Sequence, residues 1–372
     1  MTLQTTELAT LALALLTASG DTDYKPAATL GAQLKQVKDA HHLPAVAALA
    51  LRDGRPLESA ALGDRKLGES TPVTPDDVWH LGSDTKAMTA TLIAMLVDEH
   101  KLDWTATLSK LFPKWTDIAP GYGEVSIEML LGHRAGLPAE TSPNKRFWKM
   151  RAAKDQLQAR TDYVHDVLRV PADKVGMFRY SNASYVAAGV IVEQATGVSW
   201  EDNMRKRLFE PLGMASCGFG PAAHVGKVDQ PWAHDCRSGT CKPVPPGPDS
   251  DNPPALGPAG TVHCSLADWG KFVAMHIRGE RGEKTLVSPE SMKRLHQAQA
   301  GGSYAMGWGV VLRDWAGGAA WSHNGSNGLF FATVWAAPAK GLVFLSATNR
   351  GGDEAQAASD EIARYFVSRY AR

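Results

Sequence analysis

Ser83-Asp84-Thr85-Lys86, continuing as Ala87-Met88-Thr89-Ala90-Thr91-Leu92-Ile93-Ala94-Met95-Leu96, is the most informative stretch of this chain. Lys86 follows Ser83 by three residues, so on a helix the two side chains lie one turn apart on one face. Met88, Leu92, Met95 and Leu96 recur at i, i+4, i+7 and i+8, the spacing of a buried helical stripe. A lysine in the first turn faces the positive end of the helix dipole, where acidic residues are the stabilising choice. A local rule broken without structural gain points to function. The dipole and partial desolvation are both expected to lower the Lys86 pKa, as a proton acceptor for a serine requires. A second S-x-x-K, Ser142-Pro143-Asn144-Lys145, reads instead as an N-cap serine with proline at the first helical position. Ser83 taken alone admits the same explanation.

Two further segments add to Ser83. Tyr180-Ser181-Asn182 is a Y-x-N in a polar stretch before a helix-like run beginning near Ser184. A phenol there can relay a proton, because it both donates and accepts. Ser322-His323-Asn324-Gly325-Ser326-Asn327-Gly328 precedes the strand-like run Leu329 to Trp335. Glycine beside a strand edge permits close backbone approach, so a substrate can pair with that edge. Taken singly, Tyr180 reads as a core or turn residue and His323 as a structural histidine. Together they form an ordered series of nucleophile, Y-x-N and basic-residue-x-Gly strand.

That series resembles the serine hydrolases of the class C β-lactamase type, a superfamily that includes β-lactamase-like carboxylesterases, D-alanyl-D-alanine carboxypeptidases and D-aminopeptidases. The resemblance extends to Leu130-Leu131-Gly132-His133-Arg134-Ala135-Gly136-Leu137-Pro138, to Phe209-Glu210-Pro211-Leu212-Gly213-Met214 and to Gly257-Pro258-Ala259-Gly260, across roughly residues 29 to 372. It implies an acyl-enzyme mechanism in which Ser83 attacks a carbonyl carbon while Lys86, with Tyr180, accepts its proton. The backbone N–H groups of Ser83 and Ser326 are then expected to hold the oxyanion. Asn182 is expected to orient Lys86 and the substrate, with His323 and Gly325 binding substrate along the strand. Whether Lys86 or Tyr180 is the base stays open, because coupled groups share protons. No separate glutamate is assigned to deacylation.

One departure bears on the substrate. Most β-lactamases of this type start the third motif with lysine; here it is His323, largely neutral at pH 7. That favours a carboxylesterase acting on small esters or amides without a free carboxylate. The alternative is a D-amino-acid peptidase, DD-carboxypeptidase or β-lactamase, and the remote alternative a non-catalytic penicillin-binding or sensor protein. Trp148, Trp232 and Trp308 are candidates for an apolar acyl pocket, although core packing is the commoner role of any one tryptophan.

Composition fits a soluble enzyme. The 372 residues carry 44% hydrophobic and 21% charged residues at a formal net charge of zero, so neither nucleic acid nor an anionic membrane is implied as a partner. No Walker loop, H-E-x-x-H or dinucleotide fingerprint occurs, and no cofactor or metal is implied. A metal site pairing His234 with Cys236 and Cys241 lacks a second ligand pair. Those cysteines bracket a four-residue turn that a disulfide can close, which suits an exported protein; two reduced thiols are the alternative. Cys217 and Cys264 read as buried small residues. Leu8 to Ala18 is too short to span a bilayer, so residues 1–20 read as a secretory signal or as an N-terminal extension. The expected location is periplasmic or secreted, with cytoplasmic as the alternative; oligomeric state is not legible.

The expected fold is α/β of the α+β kind. A helix over 29–40 precedes a hairpin of Ala45 to Leu51 and Leu57 to Leu62 around Asp53-Gly54. Strands return at Trp321 to His323, Leu329 to Trp335 and Leu342 to Ala347, before a last helix with Ala358, Ile362, Tyr365 and Phe366 on one face. An antiparallel sheet from both chain ends, flanked by helices, with a mostly helical insert is the natural assembly, matching the β-lactamase/transpeptidase-like architecture that the resemblance implies. The corresponding divisions are 21–82 with 285–372 for the sheet and 83–284 for the helices. The Pro/Gly-rich stretch from Val228 to Pro258 is expected to be a functional rim or flexible excursion.

Overall fold

The computed structural model describes residues 25–139 and 144–371. The segment 1–20 and the cap expected at Ser142-Pro143 lie outside the described residues. The helix expected there starts at Lys145, with Asn144 as its cap accepting from the N–H groups of Arg146 and Phe147.

The strands are β1 (Ala45–Arg52), β2 (Arg55–Lys66), β3 (Glu69–Pro72), β4 (Val78–His80), β5 (Gly218–Phe219) and β6 (Ala233–Asp235). They continue as β7 (Lys242–Val244), β8 (Val262–Ser265), β9 (Gly309–Arg313), β10 (Gly318–Ser326), β11 (Phe331–Ala337) and β12 (Leu342–Thr348). The main sheet runs β3-β2-β1-β12-β11-β10-β9. Asp53 and Gly54 take left-handed φ values of 49° and 74°, the turn an Asp-Gly hairpin uses to match strand twist. β1 and β12 pair antiparallel from Val46↔Thr348 to Arg52↔Leu342, which joins the two ends of the chain in one sheet.

Both faces of β1 are covered, so its sequence is nearly all apolar rather than alternating. Val46, Ala48 and Ala50 pack with Leu34 and Val37 of the Leu30–Ala40 helix and with Ile362, Tyr365 and Phe366 of the Asp353–Tyr370 helix. Ala45, Ala47, Leu49 and Leu51 face the main core. The Thr85–Asp98 helix lies in that core. Met88, Leu92, Met95 and Leu96 are buried as expected, yet every residue from Thr85 to Leu96 is buried. The helix is therefore enclosed on all sides rather than amphipathic.

The stretch 228–258 carries the β6–β7 hairpin, closed by the Cys236–Cys241 disulfide. Cys217 and Cys264 are not free thiols; they form a second disulfide, because β5–β8 pairing sets Gly218 against His263. His234 is engaged by structure: its Nε2 accepts the Leu67 N–H at 3.1 Å and its Nδ1 lies 3.1 Å from the Asn349 carbonyl. Among the described residues no helix is long and apolar enough to cross a membrane.

Buried histidines make the fold sensitive to acid. His276 Nε2 meets Thr91 Oγ1 at 3.1 Å, His276 Nδ1 meets His296 Nε2 at 3.0 Å, and His296 Nδ1 meets Glu280 at 3.0 Å. Burial lowers His296 to about 3 and His234 to about 4, and holds His276 well below its usual range. These groups are neutral when folded but bind protons near pH 6.5 when unfolded. Their contribution is present above pH 6.5 and is lost as pH falls toward 3–4, at about 1.4 kcal/mol per unmatched proton per pH unit. Asp360, raised to about 6 by burial, works in the opposite sense and offsets part of the slope. The expected result is a denaturant midpoint that falls steeply from pH 6.5 to 5; a flat profile would contradict burial of neutral imidazoles.

Candidate active site

A tight turn presents Ser83. β4 pairs with β8, and the Leu81 N–H continues that pairing to the Val262 carbonyl at 2.9 Å. The chain then reverses at Gly82, φ +51°, into a short 3₁₀ turn, Gly82–Asp84, that feeds the Thr85–Asp98 helix. A Cβ on Gly82 would stand 2.3 Å from the Ser326 nitrogen, and one on Gly325 would stand 1.8 Å from the Leu81 oxygen and 2.8 Å from the Ser83 nitrogen. These two glycines let β10 lie directly against the turn. β9 pairs only with Gly318 to Ser322, which leaves the following residues of β10 free on that edge. The Ser83 and Ser326 amides are thereby brought together.

Lys86 is fully buried. Its Nζ lies 2.9 Å from Ser83 Oγ, 2.8 Å from Asn182 Oδ1 and 2.7 Å from the Ala259 carbonyl. Two of these partners only accept, whereas the serine hydroxyl can donate. A neutral amine has two N–H groups and one lone pair, so the arrangement turns the lone pair to Ser83. Burial pulls Lys86 well below its usual pKa, with the Asp84 charge acting in the other direction. Desolvation, more than the helix dipole, is the cause.

The Tyr180 ring centroid lies 4.9 Å from Lys86 Nζ, beside Ser83. Burial pushes its phenol above the usual value, with the neighbouring Ser83 hydroxyl acting in the other direction. Asn182 opens the Asn182–Thr196 helix, which fixes its amide at Lys86. His323 Nε2 lies 3.1 Å from the Tyr304 hydroxyl and His323 Nδ1 lies 3.6 Å from Asp84 Oδ1. Burial, helped by the Lys86 charge, lowers His323 to about 3, so it is neutral. Ser326 Oγ donates to the Phe330 carbonyl at 2.6 Å, shaping the turn after β10.

Several groups at this centre carried no role in the sequence. His133, in the Leu130–Pro138 segment, grips the backbone on both sides of Tyr180: its carbonyl accepts the Arg179 N–H at 2.7 Å and its Nδ1 accepts the Ser181 N–H at 3.2 Å. Its ring centroid is 4.3 Å from that of Tyr180. Tyr304 and the Ala259 carbonyl were equally unmarked, since one arrives from a distant loop and the other is backbone. The tryptophans do not gather here. Trp308 is a core residue among His276, His296 and Trp321. Trp232 is mostly buried, its indole donating to the Lys227 carbonyl, while Trp148 is 56% exposed on the Lys145–Ala152 helix. The arrangement brings a serine hydroxyl, a buried amine, a phenol and two adjacent amide donors into one cluster.

The chain is similar to Penicillin-binding protein 4 of Amycolatopsis lactamdurans, 31% identical over 329 residues that cover 84% of this chain and 82% of that one. It is also similar to Unguisins hydrolase ungD' of Aspergillus campestris, 25% identical across 75% of this chain but only 54% of that protein, about half its length. Among solved structures, the octameric penicillin-binding protein homologue from Pyrococcus abyssi matches with a TM-score of 0.75 at 22% identity, over 92% of this chain and 77% of that one. A beta-lactamase from Sulfitobacter sp. EE-36 matches with a TM-score of 0.72 at 19% identity, over 91% and 96%. At these identities the structural likeness is one of fold. The Beta-lactamase family model matches residues 30–367. A match reaching from the first described helix into the last places this chain in the beta-lactamase family, within the serine hydrolases of that fold.

Proposed function

We propose that this protein hydrolyses small carboxylic esters or amides through an acyl-enzyme on Ser83. The observation that carries the proposal is the buried Lys86 amine 2.9 Å from Ser83 Oγ. Burial favours the neutral form of both neighbouring groups: a neutral amine is a base, whereas a neutral phenol is an acid. Lys86 is therefore the base that takes the Ser83 proton, and Tyr180 donates to Ser83 Oγ in the resting site and to the leaving group later. The Ser83 and Ser326 amides hold the oxyanion. Asn182 keeps Lys86 aimed. The cleft is read as the seam between subdomains 83–284, which supplies Lys86, Tyr180 and Asn182, and 21–82 with 285–372, which supplies β10. Two disulfides support the exported location.

Substrate preference follows from His323. An uncharged imidazole turned toward Tyr304 cannot hold a carboxylate, so substrates lacking one at that place are preferred. The second reading, a D-peptidase or β-lactamase, draws on the likeness to Penicillin-binding protein 4. The test offers a p-nitrophenyl ester, a chromogenic cephalosporin and a D-alanyl dipeptide, with Ser83→Ala as blank. Ester kcat/KM is expected to exceed the other two by about 100-fold, the discrimination available when a buried polar partner is missing. The reverse order would establish the second reading, and a stable adduct without turnover would establish a binding or sensor role.

A further inference from the structure

Val175, Met177 and Phe178 are 38%, 63% and 44% exposed, three large apolar side chains within a short stretch of chain. Other exposed apolar residues, such as Leu57, Val225 and Leu312, stand apart along the sequence and need no explanation. This cluster does, because the segment that carries it is pinned in place. The Asp173 N–H donates to the Gly136 carbonyl at 3.0 Å, the Gly176 N–H to the Arg134 carbonyl at 2.8 Å and the Arg179 N–H to the His133 carbonyl at 2.7 Å. The Arg134 guanidinium donates to the Gly176 carbonyl at 2.7 Å and to the Ala300 carbonyl at 3.0 Å. One side chain thus clamps both the segment of Phe178 and the loop that leads to Tyr304.

Phe178 is the outer ring of an aromatic cluster that reaches the catalytic centre. Its centroid lies 5.6 Å from that of Tyr304 and 6.1 Å from that of His133. Those two rings lie 6.3 Å and 4.3 Å from Tyr180, and Tyr304 lies 5.9 Å from His323. The Tyr304 hydroxyl and His323 Nε2, 3.1 Å apart, satisfy each other. The His323 side of the site is therefore bordered by aromatic surface, with Phe178 and Met177 at its exposed margin.

We propose that Phe178 and Met177, backed by Tyr304, form a rim that receives an apolar, aromatic leaving group, so that the favoured substrates are esters of aryl-alkyl alcohols. The choice of leaving group over acyl group rests on the hydrolase proposal above, in which Tyr180 protonates the departing oxygen. Phe178 stands two residues before Tyr180 and borders its ring cluster, so whatever leaves past the phenol meets this rim. A flat ring there gains offset or edge-to-face contact with Phe178 and Tyr304. Met177, unbranched and polarizable, adapts to the outline of such a ring. Binding also takes both exposed side chains out of water, a gain that a small polar alcohol does not supply. Phe178 and Met177 determine specificity in this account and take no part in the proton transfers.

Benzyl acetate and 2-methoxyethyl acetate share one acyl group and release alcohols of similar acidity, so comparing them isolates the rim. Wild-type kcat/KM is expected to favour the benzyl ester by about 10–100-fold. Phe178→Ala is expected to shrink that ratio by about 10-fold, mainly through KM for the benzyl ester, and Met177→Ala by less. Phe178→Trp, which keeps an aromatic face, retains the ratio. Equal kcat/KM for the two esters, or an equal loss on both in Phe178→Ala, overturns the inference and leaves the hydrolase proposal standing. A second readout needs no turnover: Ser83→Ala protein is expected to bind benzyl acetate in saturation-transfer NMR and to lose that binding when Phe178→Ala is added. Were no ester hydrolysed, the hydrolase proposal would fall, and binding kept by the double variant would overturn the rim as well. If the cluster docked a second copy of this chain instead, Phe178→Ala would lower the mass in solution and leave the ester ratio unchanged, which overturns the assignment.

Discussion

Lys86→Met and Lys86→Arg are both expected to lower kcat/KM for a small ester by about 10⁴-fold, the scale seen when one member of a nucleophile–base unit is removed. The pair separates two roles that a single substitution would confuse. If Lys86 served as a cation, arginine would keep much of the activity. Arginine cannot release its proton in a protein, so equal loss in both variants identifies proton acceptance. The structure favours acceptance, since Nζ is fully buried and holds two acceptor-only partners beside the serine hydroxyl. The wild-type profile follows with its sign: a buried lysine lowered well below its usual pKa releases its proton at lower pH than an exposed one, so kcat/KM rises with pH through an acid limb displaced below the range of an ordinary lysine. Tyr180→Phe is expected to cost less, about 100-fold, because a phenol raised by burial acts as proton donor rather than base.

The parts of this site legible in the sequence were those fixed by local geometry. Ser83 and Lys86 are joined by helical spacing, and Asp53-Gly54 announces its own turn, so the hairpin and the Thr85–Asp98 helix could be read directly. The β12 strand was legible as a short apolar run, and the final helix from its apolar residues on one face. What escaped depends on contacts between distant segments. Cys217 and Cys264 lie 47 residues apart, and only the pairing of β5 with β8 brings them together. Tyr304 reaches His323 from an irregular loop that has no period to read. The Ala259 carbonyl has no residue signature, since backbone oxygens are common to all residues. The Lys86 environment was anticipated from a helix dipole together with partial desolvation; desolvation is the cause, and its extent comes from a helix enclosed on every side, which a stripe of four apolar positions does not announce.

Gly325→Ala is expected to lower kcat by about 10² to 10³-fold with a smaller change in KM, the cost of losing one oxyanion donor. The methyl has nowhere to go: its position lies 1.8 Å from the Leu81 oxygen, 2.7 Å from an Asp84 carboxyl oxygen and 2.8 Å from the Ser83 nitrogen. Two of those atoms are backbone, which cannot step aside as a flexible side chain would. Relief must come from β10 moving away from the turn, and β10 carries the Ser326 amide. Ser83, Lys86 and Tyr180 are left in place, so a fluorophosphonate should still label Ser83, more slowly. Gly328→Ala is the comparison: its φ of +87° makes alanine strained, but no atom lies within 4 Å of the added carbon. It should cost about 1 kcal/mol of stability and only a few-fold in kcat. Equal losses in the two variants would mean that backbone strain in this segment, rather than the separation of two amides, limits the reaction.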